Sequence, residues 1–170
     1  MCIIVDEDVA GSFVSDRDHQ DNRPIHDWID KCDGLIVYSQ DLINKLQDAK
    51  ALTRYSSYLA KRVQAGRAKF YGSEKLAPEL KKLQALDVRA KDDLHILALA
   101  RASGARVLYT EDQKLQSDFS EADRGIITNP KGRVYKRSEH AHVLGHDPGC
   151  PGYLSKQEKR EKARRRKRRA

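Results

Sequence analysis

The sequence predicts an α/β protein in three layers, a central and mostly parallel sheet flanked by helices, followed by a basic, disordered C-terminal tail. Three observations predict it. Short apolar runs rich in β-branched residues alternate with stretches of helical spacing, the mark of strands joined by crossover helices. The clearest runs are short and almost wholly apolar, as strands covered on both faces must be. Finally, the charge excess sits at one end. The chain of 170 residues has 33 basic and 25 acidic side chains, a net charge of +8, and residues 156–170 alone hold 10 basic and 2 acidic groups. The first 155 residues are therefore neutral, and the tail repels itself too strongly to bury anything.

Cys2–Val5 is a buried strand that runs into Asp6-Glu7-Asp8. After a polar loop over 15–23, Pro24 suits the first turn of a helix over 25–31, with Ile25, Trp28 and Ile29 on one face. Gly34 ends it, and residues 35–38 form a second buried strand. Ser39 caps the next helix, where Leu42, Ile43 and Leu46 keep helical spacing. A longer helix covers 50–65, turning Leu52, Tyr55, Leu59 and Val63 inward. Lys69-Phe70-Tyr71-Gly72 reads as a short strand or a loop. Ser73 and Glu74 open an amphipathic stretch that reaches about Leu86, kinked or restarted at Pro78. Asp92-Asp93 then precede the plainest helix of the chain, Leu94–Ser103, with Gly104 as its stop. Residues 106–110 give a third strand and a short helix follows to Phe119. Ile126-Ile127-Thr128 reads as a fourth strand and Val134-Tyr135 as an edge piece.

This organisation gives one domain over 1–140, a Gly/Pro/His-containing linker over 141–155 and the tail over 156–170. No apolar run is long enough to span a bilayer, so no membrane partner is expected, and the first residues lack the basic start of a signal peptide. Three scattered cysteines, at 2, 32 and 150, argue against a disulfide framework and for a reducing, cytoplasmic setting, with Cys2 and Cys32 as small buried hydrophobes. Charge is segregated inside the neutral part: 11 acids against 4 bases over 1–48, then 11 bases against 3 acids over 49–91. That pattern fits a metal site beside a polyanion track, or two complementary surfaces packed together.

Ligands of open parallel sheets bind outside the carboxyl ends of the strands. Two of the clearest strands end there in acids, at Asp6 (with Asp8) and Asp112, and Asp93 heads a helix leading back to the same edge. Converging carboxylates repel unless protonated or met by a cation, and oxygen ligands suit Mg²⁺ or Mn²⁺. The plainer alternative is that each Asp only caps a helix.

The stretches Ile3-Ile4-Val5-Asp6, Asp93-Leu94-His95-Ile96-Leu97-Ala98-Leu99-Ala100 and Gly104-Ala105-Arg106-Val107-Leu108-Tyr109-Thr110-Glu111-Asp112 resemble the PIN domain (PilT N-terminus-like) nucleases. Their order and separations match over roughly residues 1–130. The resemblance implies a PIN-like fold, metal-binding and catalytic roles for Asp6, Asp93 and Asp112, and an orienting role for Thr110. It also implies Mg²⁺- or Mn²⁺-dependent hydrolysis of RNA, as a toxin paired with an antitoxin protein or as an RNA-processing nuclease, and a possible homodimer. One departure stands out. The family carries a further acid on the helix after the second strand, where this chain has Asn44, with Asp41 one turn earlier and Asp8 and Asp92 as available helpers. That departure keeps a second reading open, a PIN-like domain of weakened catalysis serving as an RNA-binding or scaffold module.

Asp6-Glu7-Asp8-Val9 also resembles the opening of a haloacid-dehalogenase-type phosphatase, but the later acid pair, Asp92-Asp93, precedes Thr110 and so falls in the wrong order. His140, His142, His146 and Cys150 have the chemistry of zinc ligands without the spacing of a zinc knuckle, and a solvated linker explains them more simply. In the tail, Arg164, Arg165, Arg166, Lys167, Arg168 and Arg169 are expected to hold RNA phosphates, and Lys61, Arg62, Arg67 and Lys69 extend that track or simply form a solvated face.

Overall fold

The computed structural model describes residues 2–32, 34–121, 126–127 and 131–145. Five strands, β1 (Cys2–Val5), β2 (Leu35–Ser39), β3 (Ala68–Tyr71), β4 (Val107–Tyr109) and β5 (Arg133–Tyr135), form one sheet in the order β3-β2-β1-β4-β5. Every pairing is parallel, with Ile3 opposite both Ile36 and Val107. The sheet is thus all parallel rather than mostly so. The chain builds outward from β1 through β2 to β3, then crosses back to β4 on the other flank of β1. The crevice above β1 and β4 is therefore the point where strand order reverses, the usual ligand position in such sheets.

Helices α1 (Glu7–Ser15) and α2 (Arg23–Lys31) connect β1 to β2, and α3 (Gln40–Asn44) and α4 (Ala49–Gln64) connect β2 to β3. Then α5 (Ser73–Gln84), a 3₁₀ turn over Lys91–Asp93 and α6 (Leu94–Ser103) return the chain to β4, and α7 (Gln113–Ser120) leads toward β5. Ile3, Ile4 and Val5 are wholly buried because β1 is covered on both faces. Six consecutive residues of α6, from His95 to Ala100, are also buried, between the sheet and α5. Each buried Leu or Ile of this kind contributes roughly 1.5–3 kcal/mol. Gly104 closes α6 at φ 74°, a left-handed conformation that residues with a Cβ adopt only under strain. Gly34 is needed for a different reason, since a Cβ there would collide with the Trp28 ring.

Several expectations need correction. The stretch after β1, to which the sequence pattern assigned no element, is a helix, α1, which buries Val9, Ala10 and Phe13. Lys69 and Phe70 lie in a true strand, pairing β2, and α5 runs through Pro78 as one element. Ile126 and Ile127 are not strand: both are buried, but the Ile126 carbonyl accepts from Arg101 Nη1 (3.3 Å) instead of from a neighbouring strand. Thr128 lies outside the described residues. The place beside β4 is filled by Arg133–Tyr135, the edge strand of the sheet, as expected for Val134-Tyr135. Residues 141–145 belong to a 3₁₀ segment, Ser138–Gly145, whose Val143 and Leu144 are buried, so the start of the expected linker is packed rather than solvated. Cys2 is buried but disulfide-bonded, whereas Cys32 is a free, half-buried thiol. Among the described residues, no helix is long and apolar enough to cross a membrane.

Candidate metal centre at the carboxyl edge of the sheet

Helix α1 starts at once after β1, so Asp6, Glu7 and Asp8 leave the backbone in three directions, about 100° apart along the helix. Asp6 turns inward. Its Oδ1 accepts from the Glu7 amide (2.9 Å) and its Oδ2 from Thr110 Oγ1 (2.6 Å). Asp8 turns toward the loop after β4, where Oδ2 accepts from the Glu111 amide (2.8 Å) and from Thr110 Oγ1 (3.3 Å). Asp112 caps α7, with Oδ1 accepting from the Leu115 amide (2.6 Å), and its own amide donates to Thr110 Oγ1 (3.1 Å). Thr110, wholly buried, thus joins three acids from two strand ends.

Asp93 behaves differently. It precedes α6 but its side chain makes no capping bond, so the capping alternative holds for Asp6 and Asp112 and fails for Asp93. Instead its carboxylate joins Glu7 and His95, one donor atom from each lying within 4.8 Å of the others. His95 Nε2 stands 3.7 Å from Glu7 Oε2, within ion-pair reach but beyond a good hydrogen bond, and both atoms are buried.

The electrostatics divide along the same line. Burial, reinforced by contact with Glu7 and by the charge of Asp8, pushes the Asp6 carboxyl up to about 9. Burial alone would raise Glu7 as well, but His95 and Asp6 outweigh it and bring Glu7 down to about 2. Asp8 and Asp93 are both raised, chiefly by burial, with the charge of Glu7 adding to Asp93. Negative charge is crowded here, so the Asp6 carboxyl holds its proton through neutral pH, and a cation placed beside it would favour the charged form.

No family model, curated protein or solved structure matches the chain. The site is thus read from its own residues. Of those expected from sequence, Asp6, Asp8, Thr110 and Asp112 form one hydrogen-bonded cluster, and Asp93 stands beside it, close enough for the charge of Asp112 to raise it. Asn44 does not reach the acids: it is exposed and accepts from Gln40 Nε2 (2.8 Å) on its own helix. Its neighbour Lys45 does, with Nζ 3.9 Å from Asp93 Oδ1 and donating to the Asp92 carbonyl (2.8 Å). Asp92 itself is exposed.

Sequence reasoning missed Glu7, His95, Lys45 and Asp118. Glu7 and His95 stood inside the quoted motifs, flanking the acids that were chosen. Asp118 left no signal: it is buried in α7 and its Oδ2 accepts from the amides of Arg89 and Ala90 (2.8 Å each), clamping the segment that presents Asp93. His140 and His142 bind no such group, and His146, Cys150 and the tail arginines lie outside the described residues. Of the expected basic track, Arg62 is engaged by Asp30 (2.8 Å) over the Tyr58 ring, while Lys61 lines a cavity of about 590 Å³ with Arg17 and Arg54.

Proposed function

We propose that this protein is a metal-dependent ribonuclease that hydrolyses RNA phosphodiester bonds in the crevice above β1 and β4. The observation that carries the reading is the Glu7–Asp93–His95 donor set, which converges within 4.8 Å at the reversal point of a parallel sheet. These residues suit a divalent cation, since two carboxylates and an imidazole converging within 4.8 Å are donors that a metal takes. Glu7, Asp93 and His95 would hold it, with Asp6 adjacent. A bound Mg²⁺ or Mn²⁺ supplies the charge that fixes a phosphate oxygen and lowers the pKa of its water.

The chain's own residues do the rest. Lys45, anchored at the Asp92 carbonyl, offers an ammonium to a phosphate oxygen on the open side of Asp93. Asp8 and Thr110 hold the loop that carries Asp112, and Asp118 holds the segment that carries Asp93. Lys61, Arg54 and the tail residues Arg164, Arg165, Arg166, Lys167, Arg168 and Arg169 supply unspecific phosphate contacts. The PIN-like resemblance supports RNA as the substrate, and with it an antitoxin partner and a homodimer.

The test is incubation of the full chain with single-stranded and structured RNA in Mn²⁺ and in EDTA, alongside Asp93→Asn. Cleavage that survives both chelation and the substitution refutes the reading. The alternative, an RNA-binding or scaffold module without cleavage, is favoured by one observation: Asp6 and Asp8 spend their oxygens on protein donors. Binding without cleavage in any metal would select it.

A further inference from the structure

A cavity of about 590 Å³ lies between the C-terminal turn of α1 and the outer face of α4. Its Ser15 wall is separated from Glu7 by the length of α1, on the order of 12 Å of helix rise. We propose that this cavity is a binding site for a phosphomonoester or pyrophosphate group. It is a separate place from the candidate metal centre, and the proposal does not depend on what is hydrolysed there.

Helices α1 and α4 touch where Gly11 meets Ala51, since a Cβ at Gly11 would stand 3.3 Å from the Ala51 Cβ. One turn further along each helix the cavity opens, with Ser15 and Arg17 on one wall and Arg54, Ser57, Lys61 and Arg62 on the other. Arg54, Ser57 and Lys61 recur at helical spacing, so α4 turns one face to the hollow. No acid lines it, and α4 itself carries none from Ala49 to Gln64. Two of the four cations are engaged. Arg17 (3.1 Å) and Arg62 (2.8 Å) share Asp30, and they stand over the Tyr58 ring at 5.8 Å and 4.8 Å. The ring is fixed in turn, its hydroxyl bonded to His26 Nδ1 (3.1 Å). The side chains of Arg54, Lys61 and Ser57, by contrast, make no hydrogen bond or ion pair among the described residues. An ordinary solvated face intersperses acids with its bases; here one carboxylate answers four cations around a concavity. A backbone phosphodiester brings a single negative charge, whereas a phosphomonoester brings about two and pyrophosphate more. The excess of positive charge therefore favours the terminal group over the backbone. The Arg54 fork pairs with two phosphoryl oxygens, Lys61 acts as a point charge, and the Ser57 hydroxyl between them donates to a third oxygen. The volume is that of a small-molecule site, for which roughly 300–1,000 Å³ is usual.

The experiment is calorimetric titration of the full chain with pyrophosphate in EDTA, so that no divalent ion carries the anion to the crevice. The expected result is saturable binding that dimethyl phosphate, a monoanionic diester, does not displace at equal concentration. Arg54→Gln and Lys61→Gln should each weaken it by roughly 10- to 100-fold, the scale of one hydrogen bond between charged groups. Both side chains are exposed, so the fold survives their loss. Lys50→Gln, on the same helix but outside the cavity, should change nothing. Residues 156–170 stay in every variant, so binding that persists in the Arg54→Gln, Lys61→Gln double variant belongs to the tail and overturns the proposal. Equal weakening by all three substitutions overturns it too, as does displacement by dimethyl phosphate or by an oligoglutamate peptide. Competition then tells the source of the group. Displacement by ADP supports a free nucleotide, and displacement by a 5′-phosphorylated RNA oligomer but not its 5′-hydroxyl form supports an RNA end. Displacement by both oligomers alike marks a mere backbone track and overturns the proposal.

Discussion

Two clusters of acids share the carboxyl edge of the sheet, and they differ in whether the protein satisfies them. Around Thr110, the carboxylates of Asp6, Asp8 and Asp112 accept from backbone amides and a hydroxyl, so this half is a joint that ties β1 to β4 and to α7. Around His95, Glu7 and Asp93 are crowded together, and Glu7 Oε2 faces His95 Nε2 at 3.7 Å without a hydrogen bond. Acids used for architecture are recognised by their donors, and acids kept for a ligand by the lack of them.

Substitutions should separate the halves. The largest effect is expected from Asp93→Asn, which should lower RNA cleavage by about 100-fold or more, the scale on which loss of one charge-stabilising group at a reacting centre acts. Its melting temperature should not fall, because the substitution relieves a carboxyl that burial and Glu7 already disfavour. Thr110→Val should do the reverse in stability terms. It strips hydrogen bonds from Asp6, Asp8 and the Asp112 amide and should cost about 2–3 kcal/mol, read as an earlier midpoint in urea. Were Asp93→Asn the less stable of the two, the division between joint and ligand site would be wrong.

The two buried histidines extend the contrast. His26 donates Nε2–H to the Phe13 carbonyl and accepts from Tyr58 at Nδ1, so only its neutral form fits, and burial lowers it from 6.5 to about 4. The folded state therefore binds fewer protons than the unfolded chain in this range. Stability is fully present above pH 6.5 and is lost as pH falls toward about 4, by on the order of 2 kcal/mol. Thermal unfolding of the chain and of His26→Gln across that interval checks it: the variant should lack the loss. Deleting residues 156–170 should flatten the salt dependence of RNA binding while leaving the melting temperature unchanged, measured by titration at low and high salt. The smallest effect belongs to Asn44→Ala, within about 0.5 kcal/mol and without change in cleavage, since among the described residues its side chain bonds to the exposed Gln40.

Periodicity was a good guide where one face or both were buried for several residues in a row. Cys2–Val5, Leu94–Ser103 and the Gly104 stop could be read directly, because apolar spacing and a left-handed cap are local properties. Ile126 and Ile127 show the limit, since a buried pair looks like a strand whether or not a neighbour accepts its hydrogen bonds. The edge at which the acids gather followed from topology. Which acid of Asp6-Glu7-Asp8 faces which partner did not, because that depends on α1 starting at Glu7, a helix masked by Gly11 and a polar surround. Lys45 taking the place sought for Asn44 is a matter of one residue in helical phase, below what spacing alone resolves.

The Thr110–Asp6 bond joins residues 104 positions apart, with β1 first out and its partner strand far behind. During synthesis the opening strand must wait for most of the polypeptide before its loose acids acquire neighbours, and contacts so distant form late. A nascent or truncated chain ending before β4 would carry Asp6 and Asp8 without the Thr110 hydroxyl and the Glu111 amide that hold them.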